Sequence, residues 1–104
     1  MLFNATHGAP SPAGGQVVTY TGTQGVSTAI NAHSGTVRLY ATTDCFVEFG
    51  ASGVGGAGAA TPTAAANTSM FLPASTPEYF VVPPNCKIAV IQSTAGGSLY
   101  ISQF

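Results

Sequence analysis

Apolar and polar side chains alternate with a period of two residues over much of the chain. The alternation is clearest in residues 36–41 (TVRLYA) and 45–49 (CFVEF). A period of two residues is typical of a β-strand with one buried face. No window of ten residues carries the repeat of an amphipathic helix. The pattern therefore predicts strands throughout and no helix.

Short runs rich in valine, threonine and aromatic residues, bounded by glycine and proline, predict about eight strands. They occupy residues 17–21, 26–30, 36–41, 45–49, 70–72, 79–82, 87–92 and 98–104. Turns at this spacing are typical of a small β-sandwich or a jelly-roll-like barrel. The predicted fold class is all-β, with antiparallel strands.

The strands on either side of residues 42–44 predict a hairpin with a three-residue loop. In that register Arg38 lies opposite Glu48, and Tyr40 lies opposite Phe46. A two-residue loop would send charges into the apolar face, so the three-residue loop is preferred. A second hairpin is predicted between residues 87–92 and 98–104, with no unique register.

The chain has 104 residues and a mass of 10.4 kDa, which fits one small domain. Proline and glycine in residues 1–15 predict an extended N-terminal arm. Residues 16–104 are expected to form a single β-sandwich domain. Within it, residues 51–69 are mostly glycine, alanine and threonine, and predict a flexible surface loop.

Charged residues make up only 5% of the chain, and the formal net charge is −1. The two basic residues, Arg38 and Lys87, are too few to neutralise nucleic-acid phosphates or to bind an anionic membrane. No apolar run is long enough for a membrane span, and the N-terminus lacks the pattern of a secretory signal. Few charges remain to keep an isolated monomer soluble, so we expect much of the surface to be buried against copies of the chain or a larger partner.

The inventory of catalytic side chains is short. His7 and His33 have no carboxylate or cysteine at a metal-ligand spacing, so no metal site or cofactor is predicted. Asp44, Glu48 and Glu78 are the acidic residues. Asp44 is explained by its turn and Glu48 by Arg38, so a catalytic carboxylate pair is not favoured. We expect a protein that is not an enzyme.

Cys45 and Cys86 are expected to be reduced, buried side chains, with a disulfide as the less favoured alternative.

Large aromatic residues lie on the strand faces opposite the aliphatic ones. They are Tyr40, Phe46, Tyr100 and Phe104. Either both faces of these strands are covered within the domain, or the aromatic residues form a docking face for a partner. The sequence leaves both interpretations open.

Several segments resemble small virion proteins of tailed bacteriophages that decorate or cement the capsid. They are TDCFVEFG (43–50), MFLPA (70–74), EYF (78–80), KIAVIQ (87–92) and GGSLYI (96–101). The resemblance covers residues 36–104. It implies a β-sandwich or jelly-roll-like protein bound in many copies to the outside of a shell of major capsid protein, often as a dimer or trimer.

The first hypothesis is therefore a capsid decoration protein located in the virion and made in the host cytoplasm. Its expected contact residues are Leu2, Phe3, Tyr40, Phe46, Tyr100 and Phe104. The alternative is a tail- or neck-associated or surface-exposed β module that binds carbohydrate or a receptor by stacking on aromatic rings. The chain has no tryptophan, the residue that sugar sites usually favour.

Overall fold

A computed structural model describes residues 15–30, 35–50, 64–82 and 86–104 of the chain. These residues form eight β-strands and no helix, which confirms the predicted fold class. The strands are β1 (Gly15–Tyr20), β2 (Gly25–Val26), β3 (Thr36–Ala41), β4 (Cys45–Phe49), β5 (Met70–Leu72), β6 (Glu78–Val81), β7 (Ile88–Gln92) and β8 (Gly97–Gln103). The predicted N-terminal arm lies outside the described residues, except for Gly15, which begins β1.

The strands form two four-stranded antiparallel sheets that pack face to face. Sheet A has the order β1-β8-β3-β6, and sheet B has the order β2-β7-β4-β5. Within them β1 pairs with β8, β2 with β7, β3 with β6 and β4 with β5, as in one long hairpin that has been rolled up. This is the strand order of an eight-stranded jelly roll.

The hydrophobic core lies between the two sheets. Alternate residues of each strand point inward, and the inner positions are mostly aliphatic while the outer positions vary. The fully buried inner residues include Val37, Leu39, Leu99 and Ile101 from sheet A and Val47, Leu72, Ile88 and Val90 from sheet B. Phe49 and Phe80 are partly buried against this core, with ring centroids 5.2 Å apart.

Both predicted hairpins are wrong. Residues 42–44 carry the chain from sheet A to sheet B, so β3 and β4 do not pair. Arg38 lies opposite Ser102 and Tyr79, and Glu48 lies opposite Ala89. The loop between β7 and β8 likewise crosses from sheet B to sheet A.

The hydrogen bonds at the 42–44 corner explain why the strands separate there. The N–H of Thr42 donates to the C=O of Ser98 (3.0 Å), which extends the ladder between β3 and β8. Two residues later the C=O of Asp44 accepts from the N–H of Ser93 (3.1 Å), which extends the ladder between β4 and β7. The loop therefore joins the end of a strand in sheet A to the start of a strand in sheet B. The alternation of apolar residues is the same whether β3 and β4 pair with each other or lie in different sheets.

Cys45 and Cys86 are free thiols, as expected, and both are fully buried. Cys45 begins β4, whereas the Cys86 thiol donates to the C=O of Gly50 (3.1 Å), just beyond the end of β4. A five-residue strand is about 16 Å long. This separation is too large for a disulfide, which needs Cα atoms within about 7 Å.

Candidate functional site

The outer face of sheet A carries a group of large side chains, apolar or aromatic except for one arginine, which we call the tyrosine face. Its members are Val17, Arg38, Tyr40, Tyr79, Val81 and Tyr100. They come from all four strands of the sheet, and each alternates with inward-pointing core residues. Tyr100 lies opposite Val17 on one side and Tyr40 on the other, so the three residues form a continuous row across β1, β8 and β3.

The tyrosine face is open to solvent. Val17 is 56% exposed, Tyr79 44%, Val81 83% and Tyr100 46%. The sequence leaves two interpretations open, a docking face or a face covered within the domain. Among the described residues, the exposure of these four side chains favours a docking face. Exposed apolar groups gathered on one face, as opposed to scattered singly, are typical of interaction surfaces.

Two contacts hold rings on this face in place. The Arg38 guanidinium carbon lies 5.7 Å from the centroid of the Tyr40 ring, which is within cation–π range. The rings of Tyr79 and Phe104 lie 6.0 Å apart at an angle of 52°. Arg38 shares the outer side of β3 with Tyr40, and it is the one charged residue among the members of the tyrosine face. The face is therefore aromatic, partly ordered and nearly free of charge.

The outer face of sheet B is different, because a segment of the chain crosses it. The N–H of Ala64 donates to the side-chain oxygen of Gln24 (2.7 Å), beside the edge strand β2. Five residues later the Ser69 hydroxyl donates to Glu48 of β4 (2.8 Å), just before the opposite edge strand, β5. Residues 64–69 thus lie over this sheet. They are the last part of the predicted 51–69 loop, and residues 51–63 lie outside the described part.

Phe46 and Phe71 form a smaller aromatic pair on the outer face of sheet B. They lie opposite each other in the register of β4 and β5, and their ring centroids are 5.5 Å apart. Phe46 is only 8% exposed, while Phe71 is 49% exposed. The more accessible ring of the pair is therefore Phe71.

The predicted contact residues fall in three places. Tyr40 and Tyr100 are cross-strand neighbours on the tyrosine face, and Phe104 is buried at its margin against Tyr79. Phe46 lies on the other sheet and is not part of that face. Leu2 and Phe3 lie outside the described residues.

Four members of the tyrosine face were not among the contact residues predicted from sequence: Val17, Arg38, Tyr79 and Val81. The signal available was alternation within β1 and β6, where Val17 and Thr19, or Tyr79 and Val81, share one face. Alternation does not say which sheet a strand joins. That information comes from pairing between residues far apart in sequence, such as Arg38 with Tyr79.

The acidic side chains of Asp44 and Glu48 accept structural hydrogen bonds. Asp44 accepts from the N–H of Ala74 (2.8 Å), and Glu48 accepts from Ser69. Burial raises the pKa of the Cys45 thiol to about 11 and also raises the pKa of Cys86, so both are neutral thiols near pH 7. Neither set of groups has the geometry of a nucleophile beside a base.

No group of three or more potential metal-ligating side chains is found within residues 15–30, 35–50, 64–82 and 86–104. His7 and His33 lie outside those ranges. The same ranges contain no helix long and apolar enough to cross a membrane.

Comparisons of the chain with protein-family models, with curated proteins and with solved structures found no match.

Proposed function

We propose that this protein is a non-enzymatic structural component of a bacteriophage virion. It binds the outside of the capsid shell and reinforces contacts between major capsid protein subunits. The observation that carries the proposal is the tyrosine face, an exposed, aromatic and nearly uncharged surface on one side of a jelly roll.

The composition of the tyrosine face fits a protein interface. Interface cores are enriched in tyrosine and arginine and depleted in lysine, glutamate and aspartate. Rigid rings with a polar tip come from Tyr40, Tyr79 and Tyr100. The charged side chain among these rings is Arg38. Tyrosine and arginine are also the residues in which binding energy concentrates.

The fold adds support by analogy alone. Jelly rolls are used in viral capsid proteins and also in lectin domains. Because one fold hosts many functions, the topology by itself does not assign one. It agrees with the resemblance of residues 36–104 to capsid decoration proteins, which rests on turn and packing residues.

The size of the tyrosine face predicts a modest affinity for each site. Four strands at about 4.8 Å spacing and about 20 Å length give a footprint of roughly 300–400 Å², against about 800 Å² per partner in a stable complex. Further contacts are therefore needed, and the proposed ones come from Leu2 and Phe3. Self-association on the shell would add avidity, because linked sites bind more tightly than single ones.

A double substitution of tyrosines on the tyrosine face tests the assignment of the site. Tyr40→Ser with Tyr100→Ser is expected to weaken binding to shells at least about 100-fold, since two central aromatic contacts are lost. Binding is measured by co-sedimentation with shells that lack the protein, at low and high salt. Salt is expected to have little effect, because a single charge lies on the face.

Phe71→Ser is the matched control for this test. It removes an aromatic ring of similar exposure from the outer face of sheet B. Unchanged shell binding is expected, and thermal unfolding verifies that both variants are folded. Normal occupancy by the double tyrosine variant, or equal loss in the control, contradicts the assignment of binding to the tyrosine face.

The tyrosine face also favours a second candidate, a carbohydrate- or receptor-binding module. Arg38 and Ser102 lie opposite each other beside the tyrosine rings and offer polar partners for sugar hydroxyls. A sugar titration followed by tyrosine fluorescence discriminates the two candidates. Saturable quenching that is lost in the double tyrosine variant supports glycan binding, and no response supports the structural role.

A further inference from the structure

Arg38 lies near the middle of the tyrosine face. It belongs to β3, which has β8 on one side and β6 on the other within sheet A. Its cross-strand neighbours are Ser102 and Tyr79, and Tyr40 follows it on the outer side of β3. The Arg38 side chain is half-buried in this position. A partner that covers the tyrosine face therefore also covers the charge at its centre.

The chain places none of its own acidic side chains beside Arg38. The three acidic residues are Asp44, Glu48 and Glu78, and all belong to the described part of the chain. Asp44 lies at the 42–44 corner and Glu48 on the outer face of sheet B, where each accepts a hydrogen bond of its own. Glu78 belongs to β6, but the next residue is the one on the tyrosine face, so Glu78 points to the other side of sheet A.

The contact that Arg38 makes leaves its N–H groups open to a partner. The guanidinium carbon lies 5.7 Å from the centroid of the Tyr40 ring. An aromatic ring attracts the positive charge, but the five N–H donors of a guanidinium need acceptor atoms. No oxygen atom of the described residues accepts a hydrogen bond from these donors.

Covering such a group without an acceptor is unfavourable. A guanidinium does not lose its proton in a protein, so a partner that covers Arg38 meets a full charge. We propose that the partner of the tyrosine face presents a carboxylate, from an aspartate or glutamate side chain, to the Arg38 guanidinium. A carboxylate accepts two parallel N–H bonds from a guanidinium, which satisfies both the charge and the donors. This inference rests on the proposed function, in which a capsid protein subunit covers the face.

The exposed neighbours of Arg38 define the rest of the partner's surface. Tyr79, Val81 and Tyr100 are apolar or aromatic and open to solvent. The partner's carboxylate is therefore expected to lie among apolar side chains that pack on these three residues. Contacts of this kind around a central group exclude water from it. An ion pair shielded in this way is screened only weakly by salt, which agrees with the small salt effect expected for shell binding.

Two other occupants of the tyrosine face fit less well. Two tyrosine faces packed together supply two guanidinium groups and no carboxylate, so a second copy of the chain leaves both charges uncompensated. Nucleic acid would need several basic residues, and the chain has only Arg38 and Lys87. A different protein with an acidic side chain matches the face best.

Two blocked dipeptides test the carboxylate site without shells. Acetyl-phenylalanyl-glutamate amide and acetyl-phenylalanyl-glutamine amide have nearly the same shape and differ by one charge. Each is titrated into the isotopically labelled chain, and the NMR signal of the Arg38 Nε–H is followed. The acidic dipeptide is expected to move this signal and to bind about threefold more tightly than the neutral one, as befits an ion pair that is still partly exposed.

Arg38→Met is expected to abolish the difference between the two dipeptides. Lys87→Met is the matched control, because it removes the same charge from a position just before β7 of sheet B. The control is expected to keep the difference. Thermal unfolding verifies that both variants are folded.

The same variants test the partner on shells that lack the protein. Arg38→Met is expected to weaken binding on the order of 30-fold or more, because the partner's carboxylate is then covered without a counter-charge. Arg38→Lys is expected to bind at an intermediate level, since lysine keeps the charge but not the planar pair of donors. Shells whose carboxylates have been converted to amides with a carbodiimide and glycinamide are expected to lose binding. Shells acetylated on lysine are expected to keep it, and electron microscopy verifies that both kinds are intact.

Equal binding of the two dipeptides, or no binding of either at about 20 mM, overturns the proposal. So does shell binding that Arg38→Met leaves unchanged, and so does a response to glucuronate that exceeds the response to the acidic dipeptide, which would indicate an acidic sugar instead. Failure of the proposed function gives a different result. A chain that binds the acidic dipeptide through Arg38 but ignores shells refutes capsid binding alone, and a chain that binds shells without needing Arg38 refutes the carboxylate alone.

Discussion

The buried hydroxyl of Tyr20 is hydrogen-bonded to the 42–44 corner, where the chain passes from sheet A to sheet B. Tyr20 is 1% exposed, and its hydroxyl donates to the C=O of Thr43 (2.9 Å) and accepts from the N–H of the same residue (3.3 Å). Gly97 leaves room for this hydroxyl, because a Cβ there would lie 2.8 Å from it. Tyr20 thus serves a structural role, unlike the tyrosines of the tyrosine face.

Tyr20→Phe is expected to lower the free energy of unfolding by about 1–2 kcal/mol, since it leaves backbone groups of Thr43 without their partner. Urea denaturation measures the change. Tyr100→Phe is the control and is expected to change stability by less than about 0.5 kcal/mol, because Tyr100 is on the surface. Equal effects of the two substitutions contradict the structural role of the Tyr20 hydroxyl.

The buried thiol of Cys45 predicts a loss of stability at alkaline pH. Burial raises its pKa in the folded chain to about 11, above the value of about 8.5 in an unfolded chain. The folded state therefore holds this proton more tightly, and the resulting stability is complete below about pH 8.5 and is lost as pH rises toward 11. Over that interval the free energy of unfolding is expected to fall by about 2–3 kcal/mol from this group.

Urea denaturation between pH 7 and pH 11 measures this dependence, with Cys45→Ala as the comparison. The variant is less stable at pH 7, because it leaves a small cavity, but its stability is expected to fall less steeply. Tyr20 and Cys86, whose pKa values burial also raises, supply the remaining slope in both proteins. Parallel pH profiles for the two proteins contradict the assignment to Cys45.

At the scale of the strands, the contact between β1 and β2 depends on a glycine. A Cβ atom on Gly25 would lie 2.3 Å from the carbonyl oxygen of Thr19 and 2.7 Å from the side chain of Val18. The first of these atoms belongs to the backbone and cannot rotate away. β2 therefore reaches the edge of β1 only because residue 25 has no side chain.

Gly25→Ala is expected to destabilise the fold by about 1–3 kcal/mol through this clash. Gly22→Ala, three residues earlier, is the matched control, because its Cβ would meet only the end of the Gln92 side chain at 3.7 Å. Thermal unfolding of both variants makes the comparison. Similar melting temperatures for the two would contradict the close approach of β2 to β1.

Most strand positions and inward faces were predictable from sequence, although the strand predicted over residues 26–30 is only Gly25–Val26. Strand partners were not predictable. The period of two residues identifies Val37 and Leu39 as core residues whatever sheet they join. Whether β3 pairs with β4 or with β6 and β8 depends on contacts far apart in sequence, and both choices bury the same side chains. The predicted pairing of Arg38 with Glu48 matched opposite charges in a hairpin that the 42–44 corner does not form.

The tyrosine face was predictable to the same extent. Tyr40 and Tyr100 were identified because each lies on the opposite side of its strand from leucine. Phe46 satisfied the same criterion but belongs to sheet B, while Tyr79 was missed because β6 reaches sheet A only through the jelly-roll topology. Local pattern finds candidate outer residues, and topology decides which of them share a surface.

At the scale of the whole molecule, the two outer faces of the jelly roll differ. Residues 64–69 lie across sheet B, whereas the tyrosine face on sheet A is exposed and carries one charge. A domain with so few charges has little electrostatic protection against association. This asymmetry is what we expect of a protein that docks through one face.

Binding of the purified chain to capsid shells that lack it is the decisive test of the proposed function. Co-sedimentation and quantitative mass spectrometry give the number of copies bound per shell. We predict saturable, stoichiometric binding in hundreds of copies, with occupancy that falls when Tyr40 and Tyr100 are replaced. A folded chain that stays in the supernatant at saturating concentration contradicts the proposed function.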